Sequence, residues 1–242
     1  MRRGFWFGWL SVLLLEQAAC NVSPRPEPPA AEQPPKVDVD RVELVPCGGS
    51  CDTDGISIEA SAGAVSDPDA KGWIVNLDRL DPPIVFDVKQ DGGFSIGVAA
   101  SAGEEIRLQF RREELRSDPI DFVVSSDSQS SIERSQRVLS PCLLLEPATQ
   151  VGVMEPGSPV ASIRIENGCN EPVEVTRVAL RLPDTPYSLR SSAGPFTIAA
   201  SGMDVVEVEL TDAATDDAIL FIEVDAPAHD RRPITLYPVE AP

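Results

Sequence analysis

The chain has 242 residues, a net charge of −19 and a pI near 4.3. Such acidity excludes nucleic acid as a partner, which needs a basic face, and excludes charge-driven binding to an anionic lipid surface. With 42% hydrophobic residues, the chain is globular rather than disordered, and its length fits two domains of about 100 residues each.

In chain order, the first element is an export signal. Arg2 and Arg3 precede an apolar run from Phe5 to Leu15, and Gln17-Ala18-Ala19-Cys20 follows. A basic start, a short apolar stretch and small residues before a cut are the parts of a cleaved signal. The run is too short for a bilayer, which needs about 20 residues. A cysteine directly after the small pair points to a bacterial lipoprotein signal, with Cys20 lipidated as the new N-terminus. Gln17 stands where such signals usually carry leucine. The alternative is an ordinary cleaved signal and a soluble secreted or periplasmic protein. The Arg2-Arg3 pair reads as ordinary positive charge rather than a twin-arginine signal. Residues 1–19 are thus the signal, and 20–36 a lipidated cysteine and proline-rich tether containing Pro24, Pro26, Pro28, Pro29, Pro34 and Pro35.

From Arg41 the pattern alternates with period two. Short apolar runs at Val42–Val45, Ile56–Ile58, Trp73–Leu77, Ile84–Val88, Phe94–Val98, Ile106–Phe110 and Ile120–Val124 are bounded by Gly, Pro, Asp or Ser. Asp91-Gly92-Gly93 marks a tight turn between two of them. This predicts a β-sandwich over 37–126. Arg111–Arg116 is the only local helix candidate, with a turn as the alternative. Residues 127–141 form a serine-rich linker. The Ser125–Ser135 stretch reads either as flexible or as an extra strand. A second series of β-runs, from Leu143–Leu145 to Ile234–Tyr237, predicts another sandwich over 142–242. The fold class is therefore all-β: two tandem Ig-like β-sandwiches after a cleaved signal and a proline-rich tether.

Two resemblances sharpen this expectation. Ser61-Ala62-Gly63-Ala64-Val65, Trp73-Ile74-Val75-Asn76-Leu77, Asp91-Gly92-Gly93-Phe94-Ser95, Gly103-Glu104-Glu105-Ile106 and Arg116-Ser117-Asp118-Pro119 resemble the Ig-like modules of bacterial surface proteins. Leu144-Leu145-Glu146-Pro147, Val160–Asn167 with Gly168, Pro172–Val178 and Ile198–Val208 resemble a hydin-type (abnormal-spindle-type) Ig-like domain. Cys142 and Cys169 depart from that pattern. Both resemblances imply scaffolding or interaction units and no catalytic residues.

If Cys20 is lipidated, four of the five cysteines remain, an even number for an oxidising compartment. Pairing Cys47 with Cys51 and Cys142 with Cys169, each within its own domain, is the simplest of three connectivities. A four-cysteine zinc site would have to span both domains, and a CxxxC redox pair would lack its helix. The chain carries no glycine-rich phosphate loop. His229, its only histidine, reads as part of an exposed hairpin loop. Asp52-Thr53-Asp54-Gly55 reads as a turn rather than a calcium loop. Calcium at the domain junction, near Asp118, Asp121 and Asp127, stays open at this point. Glu104-Glu105, Glu113-Glu114 and Asp216-Asp217 read as solvated edges and turns, and Trp73 as core rather than a sugar-stacking surface.

The reading is a non-catalytic cell-envelope lipoprotein. It needs no cofactor, resident metal, small-molecule substrate or nucleic acid. It is held by Cys20 to a membrane, the outer membrane by preference, and binds a protein or envelope component. The alternatives are a structural spacer of a surface assembly and an accessory domain of a hydrolytic or carbohydrate-active system.

Overall fold

Val, Ile and Phe at every second position put one apolar face on each extended segment, and that face has to be covered. In a computed structural model, the structure describes residues 33–46, 55–124, 130–131, 142–158, 160–191, 193–213, 216–226 and 229–239. Cys20, Cys47, Cys51 and Asp127 lie outside these residues. No α-helix occurs among them, and no helix is long and apolar enough to cross a membrane.

After a 3-10 turn at Val39–Arg41, the first sandwich is built from β1 (Val42–Pro46), β2 (Ile56–Ala60), β3 (Lys71–Asn76), β4 (Ile84–Asp87), β5 (Phe94–Val98), β6 (Glu105–Arg112), β7 (Leu115–Arg116), β8 (Ile120–Val123) and β9 (Ser130–Ser131). Sheet I has the order β5-β2-β1-β9. Sheet II has the order β4-β3-β6-β7, with β8 also paired to β6. Ser130 and Ser131 pair with Leu44 and Glu43, so the serine-rich stretch supplies the extra strand. Arg111–Arg116 is a hairpin, not a helix, with Glu113 at φ 50°. Ile58, Ile74, Phe94, Ile106, Leu108, Phe110 and Phe122 fill the space between the sheets. Phe94 and Phe110 lie 5.3 Å apart, centroid to centroid.

The second sandwich comprises β10 (Leu143–Glu146), β11 (Gln150–Met154), β12 (Ala161–Asn167), β13 (Val173–Leu180), β14 (Tyr187–Leu189), β15 (Phe196–Ile198), β16 (Met203–Leu210), β17 (Ala218–Ala226) and β18 (Asp230–Val239). Sheet III is β11-β18-β17-β13-β15 and sheet IV is β10-β12-β16-β14. The chain switches sheets between β10 and β11, and β11 runs parallel to the last strand, β18. Ile163, Ile165, Val173, Val175, Leu220, Ile222, Ile234 and Leu236 form its core. Cys142 and Cys169 are joined in a disulfide with a sequence separation of 27. Beside it, the buried Asn167 donates to the carbonyls of Glu171, Ile198 and Ala199 and accepts from Cys169 N. One amide thus ties the β12–β13 turn to the end of β15.

Strands β6 and β18 run further than the apolar runs at Ile106–Phe110 and Ile234–Tyr237. The extra residues include Glu105 and Arg111 of β6 and Asp230 and Arg231 of β18, whose side chains find ion-pair partners. β3 and β6 are accordingly buried on both faces.

Two stability predictions follow from this packing. Replacing Cys142 and Cys169 by serine releases a loop whose closure contributes about 3 kcal/mol, read as a lowered urea midpoint in the oxidised chain. Gly92 sits at φ +81° with an added Cβ 2.5 Å from Val65 O. Gly92→Ala therefore costs about 1–3 kcal/mol, measured by equilibrium unfolding.

Candidate functional site

The polar face of sheet II does not meet water. On β3, Trp73 and Val75 share a face with Arg107 and Gln109 of β6, because Trp73 pairs with Gln109 and Val75 with Arg107. On β17 and β18, Ile219 and Phe221 share the outer face of sheet III with Thr235 and Pro233. These two faces pack against each other. Trp73, Val75, Leu77, Ile219 and Phe221 form a third apolar cluster, separate from the two sandwich cores. The result is a stack of four sheets, I to IV, and residues from Gln33 onward form one unit.

Arginines bolt this seam. Arg107, 1% exposed, holds Asp121 through Nε and Nη2, each at 2.7 Å. The same guanidinium donates to Pro233 O at 2.7 Å and Thr235 Oγ1 at 3.0 Å on the other sandwich. Its charge is thus balanced on its own sheet and its remaining donors cross the seam. Arg181 reaches the other way, donating to the carbonyls of Asn76, Arg79 and Asp81. Burial pushes its pKa down, partly offset by Asp81. Arg231 bonds Asp78 at 2.8 Å and Glu105 at 2.6 Å, and lies over the Phe221 ring. Burial lowers its pKa, but the bonds to Glu105 and Asp78 outweigh that and leave it raised. Arg116 bonds Asp217 at 3.1 Å and stacks on Tyr237. Gln109 donates to Gln150 at 2.6 Å.

This corrects the reading of the paired carboxylates. Asp217 and Glu105 are buried ion-pair partners, not solvated edges. Asp216 is exposed beside the buried Asp217 side chain, while Glu113 and Glu114 are both exposed at the β6–β7 turn, as expected. Glu104 carries out a second task. It accepts from Ser101 N, Asn76 Nδ2 and Arg79 Nε, and so fixes the Asn76–Asp81 turn that Arg181 binds. Burial raises its pKa, and the bonds from Ser101, Asn76 and Arg79 overcome this to leave it lowered.

The other sequence candidates fall elsewhere. Trp73 is buried as expected, but at the seam rather than in the first core. His229 Nδ1 lies 2.9 Å from Asp225 Oδ1, both exposed. The Asp121 carboxylate is taken by Arg107, and no cluster of three or more metal-ligating side chains occurs among the described residues. The seam arginines escaped the sequence reading because alternate polar positions look like a solvent face. The signal that pointed to them is 17 arginines against 3 lysines, since Arg is the cation suited to buried forked pairing.

At one border of the seam is a cleft of about 330 Å³. The first sandwich contributes Trp73, Pro82, Pro83 and Val85, and the second Leu182, Pro186 and Tyr187. Asp184 and Asp216 also line it. Burial and then Asp217 push the Tyr187 phenol up, and its hydroxyl donates to Asp216 O at 3.2 Å. A second hollow, of about 690 Å³, shares Arg111 and is lined by Glu113, Glu114 and Glu155.

The chain matches no protein-family profile and no curated protein. Solved structures similar to part of it include WR4, a C. elegans MSP family member, at 11% identity and TM-score 0.32, over 40% of this chain and 98% of that one. The E. coli chaperone DraB gives 18% identity and TM-score 0.29, over 39% and 52%. The PapD-like domain 7 of human CEP192 gives 13% identity and TM-score 0.28, over 45% and 98%. All three TM-scores are low, so the two-sandwich architecture rests on the strand pairing above.

Removing one partner of a buried charge network costs about 3–5 kcal/mol. Arg107→Ala is expected to lose that much and to split one unfolding transition into two, followed by urea titration with small-angle scattering. Arg107→Lys keeps the charge but not the fork and is expected to recover only a minority of the loss. Glu104, held low in the folded state, stabilises the fold above the ordinary carboxylate range. That contribution is lost as pH falls through its depressed value. Glu104→Gln is therefore expected to flatten the acid limb of the urea midpoint against pH.

Proposed function

We propose that this chain is a non-catalytic cell-envelope lipoprotein, anchored through Cys20, whose joined Ig-like sandwiches bind a protein or another envelope component. The first sandwich is read as a bacterial surface-type module and the second as a hydin-type module. The observation that carries the reading is how the chain uses its charges. The buried arginines and carboxylates are committed to bolting two sandwiches into one body, and free strand edges and loops are what that body offers to partners. The export and lipidation pattern of residues 2–20 supports the location.

Two measurements test this. Intact mass of the membrane-extracted chain, alkylated before and after reduction, is expected to show a start at Cys20 with added acyl mass. It is also expected to show four cysteines that react only after reduction. An unmodified N-terminus would remove the anchor. Crosslinking in cells is expected to capture one reproducible partner, whereas a diffuse ladder of neighbours would replace the binder by a spacer.

A further inference from the structure

Among the described residues, strand β4 is an open edge of sheet II and pairs only with β3. Edge strands are usually blunted by charge or proline against added strands. Here Pro82-Pro83 precede the strand and a Lys71–Asp87 pair closes it, but the stretch between is apolar and open. Val85 is 51% exposed and Ile84 38%, and Leu80, just ahead of the prolines, is 72% exposed. Val85 stands in register with Trp73 and lines the cleft between the sandwiches. Asp184 and Asp216, also in the cleft lining, are exposed and form no ion pair among the described residues. Asp217 is already held by Arg116. The edge therefore offers main-chain hydrogen-bonding groups, a partly apolar hollow for side chains, and two unspent negative charges.

Resting on the binding reading above, we propose that β4 receives an extended segment of a partner protein as an added strand. Alternate apolar side chains of that segment enter the cleft, and a flanking Lys or Arg meets Asp184 and Asp216. In a strand, every second residue points to the same side, so cleft contacts at alternate positions accompany the main-chain ladder. Such pairing draws affinity from the backbone and selectivity from the pockets. The cationic residue follows from charge: a chain at −19 repels a second copy of itself and attracts a basic segment.

The test uses the full chain in detergent micelles and a fluorescent peptide, Lys-Thr-Val-Thr-Val-Thr-Lys, followed by anisotropy. Saturable binding is expected. It should weaken about tenfold or more when the peptide's alternate amides are N-methylated, which deletes two or more hydrogen bonds without touching the protein. Val85→Arg should weaken it comparably, and Asp184→Asn with Asp216→Asn should remove its salt dependence. No saturable binding to the unaltered chain, equal binding of the N-methylated peptide, or full binding by Val85→Arg would each overturn the proposal. So would a concentration-dependent dimer crosslinked through β4. The two readings fail separately: a reproducible cellular partner whose crosslinks map to a different edge leaves the binder standing and removes this site.

Discussion

Sheets II and III each have two faces to bury, and each buries its second face on the other. Everything distinctive about the molecule depends on that constraint. A single sandwich leaves its outer faces to water and fills them with charge. Here two such faces meet, so their charges must be paired across or beside the seam, or be paid for in desolvation. Arg107, Arg181 and Arg231 meet that demand in three ways. One is neutralised on its own sheet and donates across. One binds backbone carbonyls, which carry no net charge. One is held between two carboxylates.

The three solutions tie together parts of the chain that are far apart in sequence. Arg181 requires the Asn76–Asp81 turn, and that turn depends on Glu104. Arg231 requires Asp78 in the same turn and Glu105 at the start of β6. A single loop of the first sandwich therefore faces two arginines of the second, Arg181 just past β13 and Arg231 of β18. Around this polar ring, Trp73, Val75, Leu77, Ile219 and Phe221 supply the apolar area that makes close approach favourable. The cleft beside β4 is where the two sheets stop covering each other.

Much of the fold was legible because period-two alternation is a strong signal when one face is buried. Phe94–Val98 has the bounds its apolar run indicates, and Asp91-Gly92-Gly93 makes its turn. Legibility failed where the second face is buried too. Arg107 and Gln109 between Ile106, Leu108 and Phe110 carry the pattern of a solvated strand. Nothing local distinguishes water from another protein sheet as their neighbour. Trp73 was placed inside, but which interior it joined depended on a partner surface more than 140 residues away. Asn167 was equally hidden, since its amide serves carbonyls of a turn that forms only when β13 and β15 are in place. The cleft was not legible at all, because its walls come from two sandwiches.

Strand β18 comes last among the described strands, yet it lies inside sheet III between β11 and β17, and presents Arg231, Pro233 and Thr235 to the seam. The chain therefore cannot be joined in the order in which it is made. The first sandwich must wait, with Trp73, Val75 and Leu77 uncovered, until β18 arrives. A chain that stops short of β18 leaves both a split sheet and an uncovered apolar strip. Such a strip is what quality-control proteases and chaperones seize, so protection of the first sandwich is coupled to completion of the second.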